Sequence, residues 1–309
     1  MARRGLGPSA LARVRDALAP GGQVVRVRPL HGGVSSSVHV VHLVTDSGQR
    51  QAVIVRRYGA YMQQVEPDAC EREFKLLTVL ERMGLPVPAP LLLEAGGGPF
   101  GAPTVVMSRL PGRPLLAPRA LSEYLRQLAH TLVRLHGVPT DELAFLPDQR
   151  VFVERALQPD RRPLGDALQE AVWAAAQRRW SRLANASLRR ALLHGDYWPG
   201  NLLFRRQQLV GIVDWEQPRL GDPTRDVATC RGDVSVLFGL HAADEFLHEY
   251  LAAGGQVDDL QFWDLLIATW AVREIGGWAK VYPLLGRPDL TPELAEQRIR
   301  HFAARALKS

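Results

Sequence analysis

Cysteine is nearly absent: the 309 residues contain two, Cys70 and Cys230. They lie far apart without metal-ligand spacing, which argues against a disulfide framework and suits a reducing cytoplasm. No apolar run approaches the roughly 20 residues that a membrane helix needs. The start, Met1 to Pro8, has basic residues but no apolar stretch behind them, so no secretory signal is expected. Internal repeats and low-complexity segments are also missing. What is present is 46% hydrophobic, ample for a buried core in one large or two moderate domains.

Acidic charge is scarce in the first 60 residues, where nine arginines face two acids, a net of +7. No basic-aromatic recognition motif accompanies them, so nucleic acid is not an expected partner. Residues 231–280 reverse the balance, with eight acids against three bases. An acidic segment of that kind would concentrate cations.

The most informative stretch is His194-Gly195-Asp196-Tyr197-Trp198-Pro199-Gly200-Asn201, followed by Gly211-Ile212-Val213-Asp214-Trp215-Glu216. The first piece has the H-x-D-x-x-x-x-N spacing of a kinase catalytic loop. Phosphoryl transfer needs a carboxylate to receive the acceptor hydroxyl's proton, and oxygen ligands for Mg²⁺ on the nucleotide phosphates. Asp196 suits the first task; Asn201 and Asp214 suit the second. Pro199 and Gly200 turn the chain so that Asp196 and Asn201 face one cavity. Leu202 to Phe204 and Leu209 to Val213 read as a hairpin across Arg205–Gln208, returning Asp214 beside Asn201. No second histidine stands at metal spacing from His194, which leaves that residue a structural role on the loop backbone.

These motifs, with Gly221-Asp222-Pro223-x-x-Asp226, resemble the aminoglycoside phosphotransferase family of small-molecule kinases. The resemblance runs from about His31 to Asp226 and implies an α/β (α+β), protein-kinase-like, two-lobed fold. A small antiparallel-sheet lobe would occupy residues 1–107, a hinge 108–115, and a larger, mainly helical catalytic and substrate lobe 116–309. In the family the hinge grips adenine through its backbone, here the Ser108 carbonyl and the Leu110 N–H, and Asp226 supports the catalytic loop.

The remaining pattern is consistent with that frame. Val24 to Leu30 and Val38 to Val44 read as strands around His31-Gly32-Gly33-Val34-Ser35-Ser36-Ser37. There Gly33 admits close backbone approach, and Ser35, Ser36 and Ser37 offer hydroxyls to phosphate oxygens. The full G-x-G-x-x-G is lacking. Gln51 to Tyr58 reads as a third strand, and its Val53-Ile54-Val55-Arg56 has arginine where kinases have lysine. Arginine still holds phosphate, and does so bidentately. Alternation puts Arg56 and Arg57 on opposite faces, so one reaches the cleft; motif register selects Arg56. Pro67 to Met83 reads as a helix with Glu73 beside its apolar stripe, where a carboxylate needs a cation, and Arg56 is the candidate. Two more strands follow, Leu91 to Ala95 and Pro103 to Met107. Helices are expected over 120–135, 164–183, 244–253, 257–280 and 291–308, with Trp263, Trp270 and Trp278 as core and His136 as a packing residue.

The function these residues imply is ATP- (or GTP-) dependent, Mg²⁺-assisted phosphorylation of a small-molecule hydroxyl in the cytoplasm. Nucleotide and acceptor are the expected partners, without nucleic acid or membrane. Two alternatives remain: an inactive nucleotide-binding relative, against which Asp196, Asn201 and Asp214 are all intact, and a kinase of proteins. Against the latter, the short gap from Asp214 to Asp226 holds no A-P-E motif. By the resemblance, the acidic 231–280 segment contributes to the acceptor pocket, which would favour an amine-bearing, cationic acceptor.

Overall fold

The computed structural model describes residues 5–30, 36–184 and 189–308. The chain forms two compact units, Met1–Pro111 with Gly211–Glu216, and Gly112–Val210 with Gln217–Ser309.

In the first unit, α1 (Pro8–Leu18) opens on a proline, whose missing N–H costs nothing at a helix start. A five-stranded antiparallel sheet follows, built from β1 (Gln23–Leu30), β2 (Ser36–Val44), β3 (Arg50–Tyr58), β4 (Pro90–Glu94) and β5 (Thr104–Ser108) in the order β1-β2-β3-β5-β4. Its β-branched runs, such as Val53-Ile54-Val55, suit a pleated and half-buried surface. Ala10 and Val14 of α1 join Val41, Leu43, Val53, Val55 and Val106 in one apolar core. Between β3 and β4 the sequence suggests one helix from Pro67. The structure has two, α2 (Ala60–Val65) and α3 (Ala69–Arg82). The break falls at Glu66-Pro67, where proline biases the preceding residue away from helix. Helix α3 buries Leu76, Leu77 and Leu80 completely, and with them Glu73, at 1% exposure.

The second unit begins with β6 (Arg113–Pro114), α4 (Leu121–His136), α5 (Gln149–Ala156) and α6 (Ala167–Leu183). Helix α5 carries no sequence expectation; Asp148 caps it by accepting from Arg150 N at 2.8 Å. Then come β7 (Ala191–Leu193), β8 (Leu202–Arg205), β9 (Gln208–Ile212) and β10 (Arg219–Gly221). The β8–β9 hairpin turns on Arg206 and Gln207 alone, both at positive φ (51° and 66°), rather than on the four residues expected. Two left-handed residues match the twist of the flanking strands. Strand β8 also pairs with β6, and β10 pairs antiparallel with β7, Arg219 opposite Leu193.

The rest is helical: α7 (Thr224–Phe238), α8 (Leu240–Ala252), α9 (Leu260–Trp278) and α10 (Pro292–Lys308). Helix α9 gives way to a 3-10 turn, Ala279–Leu285, which contains Pro283. Of the three tryptophans expected in the core, Trp263 is buried and Trp270 half-buried, but Trp278 is 38% exposed at the helix end. No described helix is long and apolar enough to cross a membrane. The two units do not follow the contiguous 1–107/116–309 division: residues 211–216 belong with the first, tied there by Ile212 N donating to Pro86 O at 2.8 Å.

Candidate active site

In the second unit, strand β7 delivers the chain into His194–Asn201. The loop hangs from one buried side chain. Asp226, in the first turn of α7, accepts from His194 N at 2.6 Å and from Gly195 N at 3.0 Å. Gly195 has φ +84°, and a Cβ there would sit 2.1 Å from Gln217 O, so only glycine fits. Asp196 N donates to His194 Nδ1 at 3.3 Å, the backbone-holding role the sequence suggests for that histidine. Tyr197 Oη donates to Leu128 O at 2.9 Å, tying the loop to α4.

Asp196 and Asn201 meet. Asn201 Nδ2 donates to Asp196 O at 2.9 Å and to Asp196 Oδ2 at 3.0 Å. The amide is thereby oriented with its nitrogen committed, which leaves Oδ1 as the atom able to face a cation. The Trp198 ring packs over Gly200, where a Cβ would lie 2.0 Å from it; this packing closes the turn between the two residues.

Asp226 has its own support. His136 Nδ1 lies 2.8 Å from Tyr250 Oη, and its Nε2 lies 3.6 Å from Asp226 Oδ2. Burial alone would raise the Asp226 carboxyl. The His136 imidazole, with Arg225 and His194, outweighs burial and holds it below the usual aspartate range. The sequence marks His136 only as a packing residue, because its partners lie about 90 and 114 positions away and leave no local signal.

In the first unit, Arg56 is 7% exposed and is the hub of a charge cluster. Its Nη1 lies 2.8 Å from Asp214 Oδ1, 3.3 Å from Glu73 Oε1 and 3.3 Å from Glu216 Oε1. Burial works against the guanidinium charge, but Glu73, Asp214 and Glu216 overcome it and push Arg56 further toward the protonated form. For Glu73 burial prevails, pushing its carboxyl up against the pull of Arg56 and a 2.5 Å hydrogen bond from Tyr58 Oη. Arg57 points elsewhere on β3 and donates from Nε to Ser37 Oγ at 3.1 Å. Ser36 Oγ donates to Glu216 Oε1 at 2.5 Å. Asp214 itself has φ +72°, a left-handed conformation that is unusual for a residue other than glycine and clusters at functional positions.

Glu216 and Tyr58 are therefore members of this cluster to which the sequence reading assigns no role. Tyr58 carried a usable signal, since it follows Arg56 by two on a strand and shares its face. Gly33 and Ser35 lie outside the described residues. Ser108 ends β5, its N donating to Ala89 O at 2.8 Å and its Oγ accepting from Ala89 N at 2.8 Å; Leu110 follows, outside any strand.

A family model described as the phosphotransferase enzyme family matches residues 26–266, most of the chain. The chain belongs to that family. Two curated relatives differ widely in size. Acyl-CoA dehydrogenase family member 10 of Mus musculus is 29% identical over 173 residues, 52% of this chain but 16% of that protein. Viomycin phosphotransferase of Streptomyces vinaceus is 28% identical over 190 residues, 57% of this chain and 63% of the relative. The chain thus spans less than two thirds of the length of either. Among solved structures, the GDP and kanamycin complex of the aminoglycoside phosphotransferase APH(2")-IIIa superposes with a TM-score of 0.63 at 17% identity, over 95% of this chain and 98% of that one. At that identity the likeness establishes the fold, a kinase-like mixture of antiparallel sheet and helices.

For a member of this family, the donor set suits Mg²⁺. One guanidinium against three carboxylates leaves the Arg56 cluster with excess negative charge, which a divalent cation would offset. Among the described residues no three His, Cys, Asp or Glu side chains form a closed metal cage. Mg²⁺ does not need one, because it keeps waters and takes one or two protein oxygens beside the substrate phosphates.

Proposed function

We propose that the chain transfers the terminal phosphoryl group of ATP, with Mg²⁺, to a hydroxyl of a small molecule. The observation that carries this reading is the His194–Asn201 loop, in which Asp226 fixes the backbone and Asn201 fixes the Asp196 carboxylate. The family membership and the GDP held by the solved neighbour support a nucleotide donor.

In this mechanism Asp196 Oδ accepts the hydrogen bond of the acceptor hydroxyl and takes its proton as the new P–O bond forms. The bond to the leaving nucleoside diphosphate oxygen breaks, and the diphosphate departs with that electron pair. Asp214 and Asn201 Oδ1 would hold Mg²⁺, which when bound neutralises charge on the transferring group. Arg56, oriented by Glu73, donates to phosphate oxygens, with help from the loop carrying Gly33, Ser35, Ser36 and Ser37. The backbone at Ser108 and Leu110, within a hinge over 108–115, receives the adenine. The free, buried thiols of Cys70 and Cys230 fit a reducing compartment.

The test is ADP release across a panel of metabolite and antibiotic alcohols, in wild type and Asp196→Asn. Turnover should fall by roughly 10²–10⁴-fold in the variant, the usual contribution of a positioned base. Mg²⁺-dependent nucleotide binding should survive. Near-wild-type turnover in Asp196→Asn would refute the assignment of the base.

A further inference from the structure

A cavity of about 210 Å³ opens in the second unit, where the starts of α5 and α9 meet the end of α6. It is not the place where Asp196 works. Gly221, in its wall, pairs with Ala191, whereas Arg219 pairs with Leu193, the residue that leads into the catalytic loop. The cavity thus lies at the far end of the β7–β10 pair, two residues or about 7 Å further along. None of the side chains assigned to phosphotransfer lines it.

Its polar lining is built to give hydrogen bonds rather than to take them. Gln149 is 2% exposed. Its Oε1 accepts from Asp222 N at 2.8 Å, while its Nε2 has no partner. The donor at Asp222 N rules out the flipped amide. A buried N–H left unmet is costly, so it marks the place of an acceptor. The two acids of the lining are already engaged. Asp148 accepts from Arg150 N at 2.8 Å. Asp222 accepts from Thr224 N at 2.8 Å through Oδ1 and from Trp263 Nε1 at 3.0 Å through Oδ2. Against them stand Arg150, Arg189 and Arg190. Arg189 reaches Asp258 at 3.7 Å, and Arg190 has no ion pair with any described residue. Val153 and Trp180 supply apolar wall, and Trp180 is fixed by stacking on Phe262, with 5.5 Å between ring centres. A preformed apolar cavity of roughly 150 Å³ takes benzene. The larger space here has room for such a ring and an acid group.

We propose that this cavity is an effector site for a small organic anion, a carboxylate or phosphate carried on a benzene-sized apolar body. The head group accepts from Gln149 Nε2 and pairs with Arg150 and Arg190, and the body lies against Trp180 and Val153. The position gives the occupant a way to act on turnover. Asp222, bonded to Gln149, stands two residues before α7, and Asp226 in the first turn of that helix holds His194 N and Gly195 N. An occupant that draws on Gln149 therefore bears on the segment that sets the loop's anchor, which couples the two places.

Calorimetry without nucleotide tests it with benzoate, phenyl phosphate, inorganic phosphate, neutral benzamide and cationic benzylamine. The proteins are wild type, Gln149→Glu, Arg190→Ala and Asp196→Asn. Benzoate or phenyl phosphate should bind at least about tenfold more tightly than benzamide. The tighter of the two assigns the head group, carboxylate or phosphate ester. Gln149→Glu keeps the oxygen that Asp222 N needs and replaces the inward donor by an acceptor. It should therefore fold, as its melting curve would show, and lose at least about tenfold in anion affinity. Arg190→Ala, a change at the surface, should weaken the anion by about threefold or more. Asp196→Asn should bind it as wild type does. At saturation the anion should change kcat without competing with the acceptor. No binding of either aromatic anion would overturn the proposal, as would equal affinity for benzoate and benzamide, or tighter benzylamine. Inorganic phosphate binding as tightly as phenyl phosphate would remove the apolar body, and unchanged affinity in Gln149→Glu would remove the amide; either result overturns the site. Unchanged kcat at saturation would overturn the effector role, and competition with the acceptor would move the anion to the active site. The binding measurements require no phosphotransfer, so a chain without turnover would sink the function above and leave this site standing.

Discussion

At Arg56, one buried guanidinium serves three carboxylates, two of which, Glu73 and Glu216, are themselves buried. Deleting Arg56 strands Glu73, and deleting Glu73 removes the partner that aims Arg56. Removing Arg56 leaves Glu73 without its cation at 1% side-chain exposure, a loss of roughly 3–5 kcal/mol for a broken buried pair, whereas removing Glu73 leaves Arg56 held by Asp214 and Glu216 and should cost less. Arg56→Ala and Glu73→Ala should each lower kcat/KM for ATP by about a hundredfold, and the double variant should be little worse than the poorer single one. Arg56→Lys should keep partial activity, because the charge stays and the bidentate fork is lost. Arg57→Ala, whose side chain bonds Ser37 instead, should change activity by less than about threefold. Additive losses, or a larger effect at Arg57, would show that the wrong arginine has been assigned. Asp214→Ala should abolish Mg²⁺-dependent nucleotide affinity, since the exposed member of the cluster is the one able to face a metal; unchanged affinity in calorimetry would remove it from the metal site.

At the scale of elements, β7, the loop and α7 behave as one device. Strand β7 supplies the entry and α7 the anchor, and the link between them is the pair of bonds from His194 N and Gly195 N to Asp226. The folded Asp226 carboxyl lies below its ordinary value, so its ionised form stabilises the native state. That stabilisation is complete above about pH 4, the unfolded aspartate value, and is lost as pH falls through the lower folded value. Wild type should therefore lose thermal stability on acidification below about pH 4, and Asp226→Asn should show a weaker dependence there. The same variant should turn over at least a hundredfold more slowly, because an amide cannot accept both N–H groups as strongly as a carboxylate. Melting curves at a series of pH values and one turnover assay check both. An unaltered acid limb would mean that Asp226 titrates normally in the fold.

On the scale of the whole molecule, the chain crosses between its two units three times, after Pro111, Val210 and Glu216. The excursion 211–216 is short, yet it carries Asp214 and Glu216 to Arg56 and the Ile212–Pro86 bond to the connector before β4. A fragment ending at Pro111 lacks all of these. It should melt well below the full chain or fail to fold, and circular dichroism of the two would decide. A fragment as stable as the intact protein would mean that 211–216 is a passenger in the first unit.

Local spacing was enough to foresee how the loop folds: acid, amide and turn residues lie within eight positions, and the chain folds Asp196 against Asn201 as that order suggests. The Arg56–Glu73 pair was also legible, because strand and helix periodicity each confine a side chain to one face. The third carboxylate on Arg56, Glu216, was not legible: it lies 160 positions from Arg56, and only the return of 211–216 to the first unit delivers it. The same holds for His136 and Tyr250 behind Asp226. Charge was the most misleading feature when read locally. Composition counts the acids of 231–280 as a field, whereas the fold supplies Arg179, Arg189 and Arg305 from elsewhere to neutralise much of it. Sequence order determines which residues the loop brings together. Which charges find a partner is decided by contacts between distant segments that no periodicity records.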